Sequence, residues 1–313
     1  MGLPAAMVTR HAERCDRFGR VFTRRQALDR GLSDAQIHRG VRSGDLTRVS
    51  RGALAQSERW AELAAVERYR ATVLAAVGRC TTGAVVSHVS AAVLHSLPLL
   101  RPDFDAVHFS EDGRGGGHRA HRILHRVSLA PADVSVLDGV AVTTPARTAV
   151  DVACLGSFEQ AVCVLESALR SGVSAEDIDD VLARLGKRRG IGVARRGAAF
   201  ADDRTESIGE SWSRAQMASW PDIPLPRLQH EFRTPEGLFV ARTDFDRDGV
   251  LVGEFDGMVK YAKDASDAVL AERRRETNLH ALGVHVVRWT WSDSRRPGAL
   301  HRLLRQGLER VGR

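Results

Sequence analysis

Residues 22–52 read FTRRQALDRGLSDAQIHRGVRSGDLTRVSRG, and this stretch contains two successive helix starts. In the first, Thr23 stands three residues before Gln26. This is the spacing of a capping box, in which each of the two side chains bonds the backbone amide of the other residue. Gly31 is a natural helix end because glycine adopts the left-handed conformation without strain. The pattern predicts a short helix from Thr23 to Gly31.

A second helix start follows immediately. Ser33 and Gln36 form the next capping box, and the helix that they open is predicted to run to Ser43. Residues 46–54 (LTRVSRGAL) then alternate as a strand and turn do. Two helices joined by a short turn and followed by a small hairpin are typical of a winged helix-turn-helix. The second helix of such a pair enters the major groove of DNA.

Five polar side chains of this segment are candidate DNA contacts. Gln36, Arg39 and Arg42 lie at three-residue spacing on one face of the second helix, and Arg48 and Arg51 lie on the hairpin. Glutamine suits adenine edges, and arginine suits guanine or phosphate. We expect the two hairpin arginines to contact the DNA backbone or the minor groove. The alternative is a small helical bundle with a solvated arginine face.

The same residues, 22–52, resemble the N-terminal winged-helix domain of the AbiEi family. Members of that family are antitoxins of type IV toxin–antitoxin systems and act as transcriptional autorepressors. The resemblance covers about fifty residues, and winged helices are widely reused. It implies double-stranded DNA as a partner and a cognate toxin as a further one.

Length and charge divide the chain into three predicted domains. The 313 residues carry a net charge of +7, and residues 1–60 alone hold twelve arginines against six acidic residues. A single basic surface near the N-terminus explains this distribution better than general solubility does. We predict an α/β multidomain protein, with a winged helix-turn-helix at 1–58, an α+β domain at 59–200 and a third domain at 201–313.

Several classes of protein are excluded by composition. No stretch approaches 18 apolar residues, so no transmembrane helix is expected, and residues 1–20 lack the apolar core of a secretory signal. The four cysteines form no C-x-x-C pair, and Cys154 and Cys163 are expected to be buried thiols. These features predict a cytoplasmic protein without a membrane partner.

The middle segment shows little chemistry. It is predicted to contain a helix at 60–77 and strands at 105–110, 121–127 and 139–143, and the charged stretch 187–204 is interpreted as a helix end plus linker. Six histidines there lack the spacing of a catalytic or metal-binding motif and are interpreted as solvated: His88, His95, His108, His118, His121 and His125. A nucleotide-modifying activity is a weaker alternative that no residue pattern demands.

Carboxylates concentrate in the C-terminal segment. After a predicted helix from Glu206 to Met217 come strands at 228–233, 238–245 and 250–255, and Asp246 and Asp248 are interpreted as a solvated turn between the last two.

This hairpin predicts a metal site. It places Asp244 opposite Glu254 or one position away, and Asp256 shares the face of Glu254. Three carboxylates so close repel one another, and Mg²⁺ or Mn²⁺ would resolve the repulsion through oxygen ligands. Lys260, one of three lysines in the chain, follows where it could neutralise a phosphate or activate water.

This segment resembles the very-short-patch-repair-endonuclease-like domains of the PD-(D/E)XK nuclease superfamily, which have a restriction-endonuclease-like α/β fold. The resemblance covers about 110 residues. It rests on four stretches: VARTDF at 240–245, LVGEFDGMVKY at 251–261, ERRRE at 272–276 and LGVHVVRW at 282–289. It implies Mg²⁺ ligands at Asp244 and Glu254 and a first-helix acid at Glu210 or Glu206.

Two departures from that pattern leave the enzymatic activity open. Asp256 stands where the superfamily has its lysine, so that Lys260 is the candidate substitute, and no histidines follow Asp256-Gly257. The first hypothesis is a Mg²⁺-dependent DNA endonuclease directed by its own winged helix, with Asp244, Glu254, Asp256, Lys260 and Glu210 in the site. The alternative is a non-catalytic, antitoxin-type transcriptional regulator with a degenerate nuclease domain.

Overall fold

The computed structural model describes residues 21–77, 83–113, 116–119, 121–257 and 265–312. These divide into two compact units. Unit 1 comprises the chain up to Leu97 together with Pro102–Asp151, and unit 2 comprises Pro98–Arg101 together with the chain from Val152 onward. The protein is a mixed α/β multidomain chain with several sheets. The predicted boundaries after residues 58 and 200 lie within unit 1 and unit 2 respectively.

Unit 1 begins with the two predicted helices and the predicted hairpin. Their bounds are β1 Phe22–Thr23, α1 Arg24–Asp29, α2 Asp34–Ser43, β2 Leu46–Ser50 and β3 Ala53–Gln56, with the strands in the order β1-β3-β2. Both predicted capping boxes are confirmed, at Thr23 and at Ser33. The core between these elements consists of Phe22, Ala27, Leu32, Ile37, Leu46 and Leu54. The sequence also predicts a helix from Thr9 to Arg20, and these residues lie outside the described part of the chain.

The rest of unit 1 surrounds a six-stranded sheet with the strand order β6-β7-β5-β4-β9-β8. Its elements are α3 Ser57–Glu62, α4 Ala65–Val77, β4 Val85–Val86, α5 His88–Leu94, β5 Val107–Glu111, β6 Gly117–Arg119, β7 Arg122–Arg126, β8 Val134–Leu137, β9 Val140–Thr143 and α6 Pro145–Ala153. The prediction of one helix over 60–77 is wrong, because Leu63 is extended, with ψ 140°. The Glu67 carboxylate then accepts the amide of Ala64 at 3.1 Å and restarts the helix.

The interpretation of the middle histidines as solvated is also wrong for part of the set. His88 is fully buried, His108 is 7% exposed and His125 is half-buried, whereas His118 and His121 are exposed as expected. The reason is topological. Strand β5, which carries His108, lies inside the sheet between β7 and β4, and the spacing of residues along the chain does not reveal that position.

Four helices open unit 2: α7 Phe158–Arg170, α8 Ala175–Leu185, α9 Ile191–Phe200 and α10 Ile208–Met217. The presence of α9 corrects the interpretation of residues 187–204 as a helix end plus linker. Ile191, Ala194 and Gly197 form a buried stripe on α9 that the surrounding arginines obscure in the sequence. Cys154 and Cys163 are buried, as predicted.

The C-terminal part of unit 2 is a four-stranded sheet with its helices. The elements are β10 Arg227–Arg233, β11 Phe239–Arg247, β12 Leu251–Asp256, α11 Ala265–Ala281, β13 His285–Thr290, α12 Trp291–Arg295 and α13 Ala299–Arg310. The strands lie in the order β10-β11-β12-β13, with β12 and β13 parallel and the other pairs antiparallel. Phe245 and Trp289 stack at its core, with ring centroids 5.4 Å apart.

One aspartate of the predicted turn belongs to the sheet instead. Asp246 lies within β11, is 1% exposed and accepts a hydrogen bond from Arg227 Nε at 2.7 Å. Its interpretation as a solvated turn residue is therefore wrong. The turn itself contains Asp248 and Gly249, both with positive φ. Within the described ranges, no helix combines the length and apolar character needed to span a bilayer.

Candidate functional site

The first candidate site is the surface formed by α2 and the β2–β3 hairpin. Arg39 and Arg42 are exposed on α2, and Arg48 and Arg51 are exposed on the hairpin. Gln36 is half-buried, because its Oε1 accepts the Ser33 backbone amide at 2.8 Å as part of the capping box. Four of the five predicted DNA contacts are thus exposed at the surface, and the fifth also serves as a helix cap.

The position of α2 is fixed by polar and apolar contacts. Arg24 on α1 donates from Nε to Asp34 at the start of α2, at 2.8 Å. Gly40 allows α2 to approach β2 closely, since a Cβ at this position would lie 2.9 Å from Leu46 Cδ1. The arginines of α2 are therefore presented by a helix whose start and packing are both defined, which is the preorganisation that groove binding requires.

The second candidate site lies on β11 and β12, just beyond the last residue pair that joins these two strands. The β11–β12 register pairs Phe245 with Gly253, and the next position along would pair Asp244 with Glu254. The register ends one residue before this pair, and the Asp244 carboxylate accepts the backbone amide of Phe255 at 2.8 Å. The sequence prediction placed Asp244 opposite Glu254 or one position away, and the pairing of the two strands stops just short of testing it.

The Asp244 carboxyl is in an unfavourable environment for a negative charge. Burial raises its pKa, and the charges of Glu210 and Glu254 raise it further, to about 7. The Phe255 amide and Arg275 act in the opposite direction. A carboxyl whose pKa lies near neutrality can accept or release a proton at physiological pH.

Glu254 has two arginine partners. Its Oε2 accepts from Arg275 Nη1 at 3.1 Å and from Arg288 Nε at 3.2 Å, and Arg275 Nη2 also bonds Oε1. Arg275 lies on α11, and Arg288 is the register partner of Glu254 on the parallel strand β13. The sequence pattern alone assigns neither arginine to the site. Arg288 can be assigned to the site only when the parallel pairing of β12 with β13 is known, and the sequence pattern does not show that pairing.

Glu210 completes the surroundings of Asp244. It is 6% exposed and accepts from Ser207 Oγ at 2.7 Å and from Gln229 Nε2 at 3.0 Å. Gln229 occupies the register position opposite Asp244 and has a φ of 51°. Residues with such a strained backbone cluster at functional sites. Glu206, the alternative first-helix acid, is instead paired with Arg242 at 2.6 Å.

The remaining predicted site residues do not join this cluster in the described chain. Asp256 is exposed at the end of β12, and Lys260 lies outside the described residues. Across the described ranges, the oxygens of Asp244, Glu254 and Asp256 do not form a group within 4.8 Å of one another. Among the acidic side chains, Glu210 raises the pKa of Asp244 the most.

Two family models match the chain. Residues 15–55 match the model described as transcriptional regulator, AbiEi antitoxin, and residues 72–198 match the AbiEi antitoxin C-terminal domain. Over these two stretches the chain is similar to AbiEi antitoxins. Neither match extends to residues 201–313, which hold the carboxylates.

Curated relatives and a solved structure from Mycobacterium tuberculosis are similar to parts of the chain. The uncharacterized proteins MT2308 (strain CDC 1551) and Rv2248 (strain H37Rv) are each 35% identical over 178 residues, 56% of this chain and 64% of theirs. The chain therefore matches less than two thirds of their length. The crystal structure of RV2827C protein aligns with a TM-score of 0.42 and 14% identity, covering 76% of this chain and 92% of that one.

Proposed function

We propose that the protein is a DNA-binding transcriptional regulator of the antitoxin type, and that residues 22–56 form its winged helix-turn-helix. The observation that carries the proposal is the capped helix α2, which presents Arg39 and Arg42 beside the hairpin arginines Arg48 and Arg51. The description of the model that matches residues 15–55 supports the same role. Because both matched models are antitoxin domains, the proposal includes a cognate toxin as a partner.

Double-stranded DNA is the natural ligand for such a surface. Arginines on a helix in the major groove can bond guanine O6 and N7, and arginines on the hairpin can pair with phosphates. Phosphate pairing releases counterions, so the affinity would fall as the salt concentration rises. Twelve of the arginines that make the chain basic fall within residues 1–60, which supports DNA binding at this end of the chain.

The test is DNA binding by the full chain, measured by fluorescence anisotropy on the region upstream of its own gene. We expect the double variant Arg39→Ala/Arg42→Ala to bind at least about tenfold more weakly than wild type, with a shallower salt dependence. A control, Arg196→Ala/Arg302→Ala, removes the same charge from exposed positions of unit 2 and should bind as wild type does. Equal binding by both double variants would exclude α2 as the DNA-reading helix.

A second function is favoured by Asp244, whose pKa is raised to about 7 by burial and by the neighbouring acids Glu210 and Glu254. We propose that residues 201–313 form a restriction-endonuclease-like domain in which Asp244 and Glu254 hold Mg²⁺ or Mn²⁺ and Glu210 assists. Such an ion, when bound, polarises a phosphodiester and lowers the pKa of a bound water. A cation would relieve the like-charge repulsion at Asp244, whereas at Glu254 it would have to displace Arg275 or Arg288.

The nuclease proposal is tested by incubating the full chain with plasmid DNA and Mg²⁺ or Mn²⁺. We expect nicking by wild type and its loss in the Asp244→Ala/Glu254→Ala variant, and weaker nicking by Lys260→Ala or Asp256→Ala. DNA binding by these variants should be unchanged, since the proposed recognition helix lies in unit 1. Equal cleavage by wild type and the double variant, or no metal-dependent cleavage at all, would favour the purely regulatory function.

A further inference from the structure

Three histidines of unit 1 come together although they are far apart in sequence. His88 begins α5, His108 lies on β5 and His125 lies on β7. Each offers one ring nitrogen, and these three nitrogens all lie within 4.8 Å of one another. We propose that they bind a transition-metal ion of the zinc type. Within the described part of the chain, this is the only set of three or more histidine, cysteine or acidic side chains with such spacing.

The geometry of the rings brings their nitrogens close to the distances that a metal requires. His108 Nδ1 and His125 Nε2 face each other at 3.0 Å, and the His88 ring stacks on that of His125 with centroids 3.7 Å apart. Zinc binds histidine nitrogen at about 2.0–2.1 Å, so two ligands of a tetrahedral ion lie about 3.4 Å apart. An ion between His108 and His125 would therefore require these two nitrogens to move apart by a few tenths of an ångström, and the His88 ring to turn out of its stack on His125 so that its nitrogen faces the ion.

Serine side chains around the cluster supply the outer hydrogen bonds that orient metal-binding histidines. Ser87 Oγ lies 2.9 Å from His88 Nδ1 and also accepts from Ser110 Oγ at 2.8 Å. When Ser87 takes the Nδ1 proton, the lone pair of the His88 ring is on Nε2. Ser90 Oγ accepts the backbone amide of His108 at 2.8 Å and so fixes the position of that ligand.

The charges near His108 partly suit a cation. Among the charged groups acting on His108, Asp103 has the largest effect and is negative, so it would partly offset the charge of a divalent ion. His118 acts in the opposite direction.

The backbone at His88 is a further sign of a specialised position. Its φ is 52°, in the left-handed region, although it is the first residue of a helix and carries a large side chain. Such strained residues concentrate at ligand-binding and catalytic positions. Three histidines leave a fourth position for water or a ligand, which is the pattern of catalytic rather than structural zinc sites. The half-buried His125 marks the side of the cluster nearest to solvent.

The proposal is tested with untagged full-length protein that is first treated with a chelator and then titrated with Zn²⁺. Calorimetry should give one ion per chain, and Co²⁺ in its place should give the visible absorption of a four-coordinate site. We expect His125→Gln to weaken Zn²⁺ binding at least tenfold. His118→Gln, which removes an exposed histidine from β6 of the same sheet, should bind as wild type does.

Crystals of wild type soaked in Zn²⁺ give an independent measurement. Anomalous scattering at the zinc edge should place the ion between the His88, His108 and His125 rings, and this result stands even if a histidine variant does not fold. The proposal is overturned if the chain binds no stoichiometric Zn²⁺. It is equally overturned if His125→Gln and His118→Gln bind alike, or if the anomalous peak lies elsewhere.

Discussion

Asp244 is placed so that its proton is held more tightly in the folded chain than in the unfolded chain. Its pKa of about 7 lies above the ordinary value of 3.8 because of burial and of the charges of Glu210 and Glu254. Below pH 4 the carboxyl is protonated in both states. As the pH rises towards and through 7, the unfolded state gains stability by ionising first, so the contribution of Asp244 to folding is lost.

Asp244→Asn removes this titration while keeping an acceptor for the Phe255 amide. We expect wild type to lose stability relative to the variant between pH 4 and pH 8, by at most about 4 kcal/mol at 1.36 kcal/mol per pKa unit. Urea unfolding of both proteins at several pH values measures the difference. A constant difference across this range would contradict the assigned pKa.

At the level of single residues, the sequence predicted the acids better than their partners. The hairpin turn at Asp248 is local, so it predicts the pairing of β11 with β12 up to Phe245 and Gly253, the residues next to Asp244 and Glu254. The partners of Glu254 depend on longer-range structure. Arg275 comes from a helix and Arg288 from a parallel neighbour, and neither relation is encoded in local spacing.

Among the elements, α9 was not predicted, because arginines surround its few buried residues in the sequence. Its helix start is Gly190, with φ 80°, and a Cβ there would lie 1.9 Å from the carbonyl oxygen of Cys154. Two residues on, Gly192 has no atom within 4 Å of its Cβ position. The two glycines of one helix therefore have different roles, and they form a matched pair for substitution.

We expect Gly190→Ala to destabilise the chain by about 2–4 kcal/mol, from left-handed strain plus a backbone clash. Gly192→Ala should be neutral or should stabilise by up to about 1 kcal/mol, because alanine is the better helix former. Chemical denaturation midpoints distinguish the two. Similar losses of stability in both variants would mean that the close contact with Cys154 is not the reason for a glycine at position 190.

The elements that the sequence predicted correctly are those with local signals. The capping boxes at Thr23 and Ser33 involve residues three apart, so they can be read without knowledge of the tertiary fold. Strands β6 and β8 were not predicted. Each is an edge strand of three or four residues whose existence depends on its neighbour in the six-stranded sheet.

For the whole molecule, the division into two units predicts that thermal unfolding departs from a single two-state transition. Each unit has its own sensitive position. In unit 1, Arg147 is fully buried between Asp133 at 2.7 Å and Asp151 at 2.9 Å. Removing the guanidinium from two buried carboxylates costs about 3–5 kcal/mol.

Scanning calorimetry of Arg147→Met and Gly190→Ala is the corresponding experiment. We expect the arginine variant to lower the transition of unit 1 and the glycine variant that of unit 2. Arg204→Met, which breaks an exposed pair with Asp202, should shift neither by more than about 1 kcal/mol. A single transition that all destabilising variants lower equally would mean that the two units unfold together.

The capping role of Gln36 restricts the base that it could recognise. A glutamine that reads adenine uses its carbonyl for N6 and its amino group for N7. The carbonyl of Gln36 already holds the Ser33 amide, so only the amino group can reach a base. Releasing the cap would cost about 0.5–2 kcal/mol. If α2 enters the groove, Gln36 would therefore favour bases with a major-groove acceptor (guanine O6 or N7, adenine N7, thymine O4) over cytosine, and would lose the two-bond preference for adenine. A base-substitution series at that operator position would measure this preference.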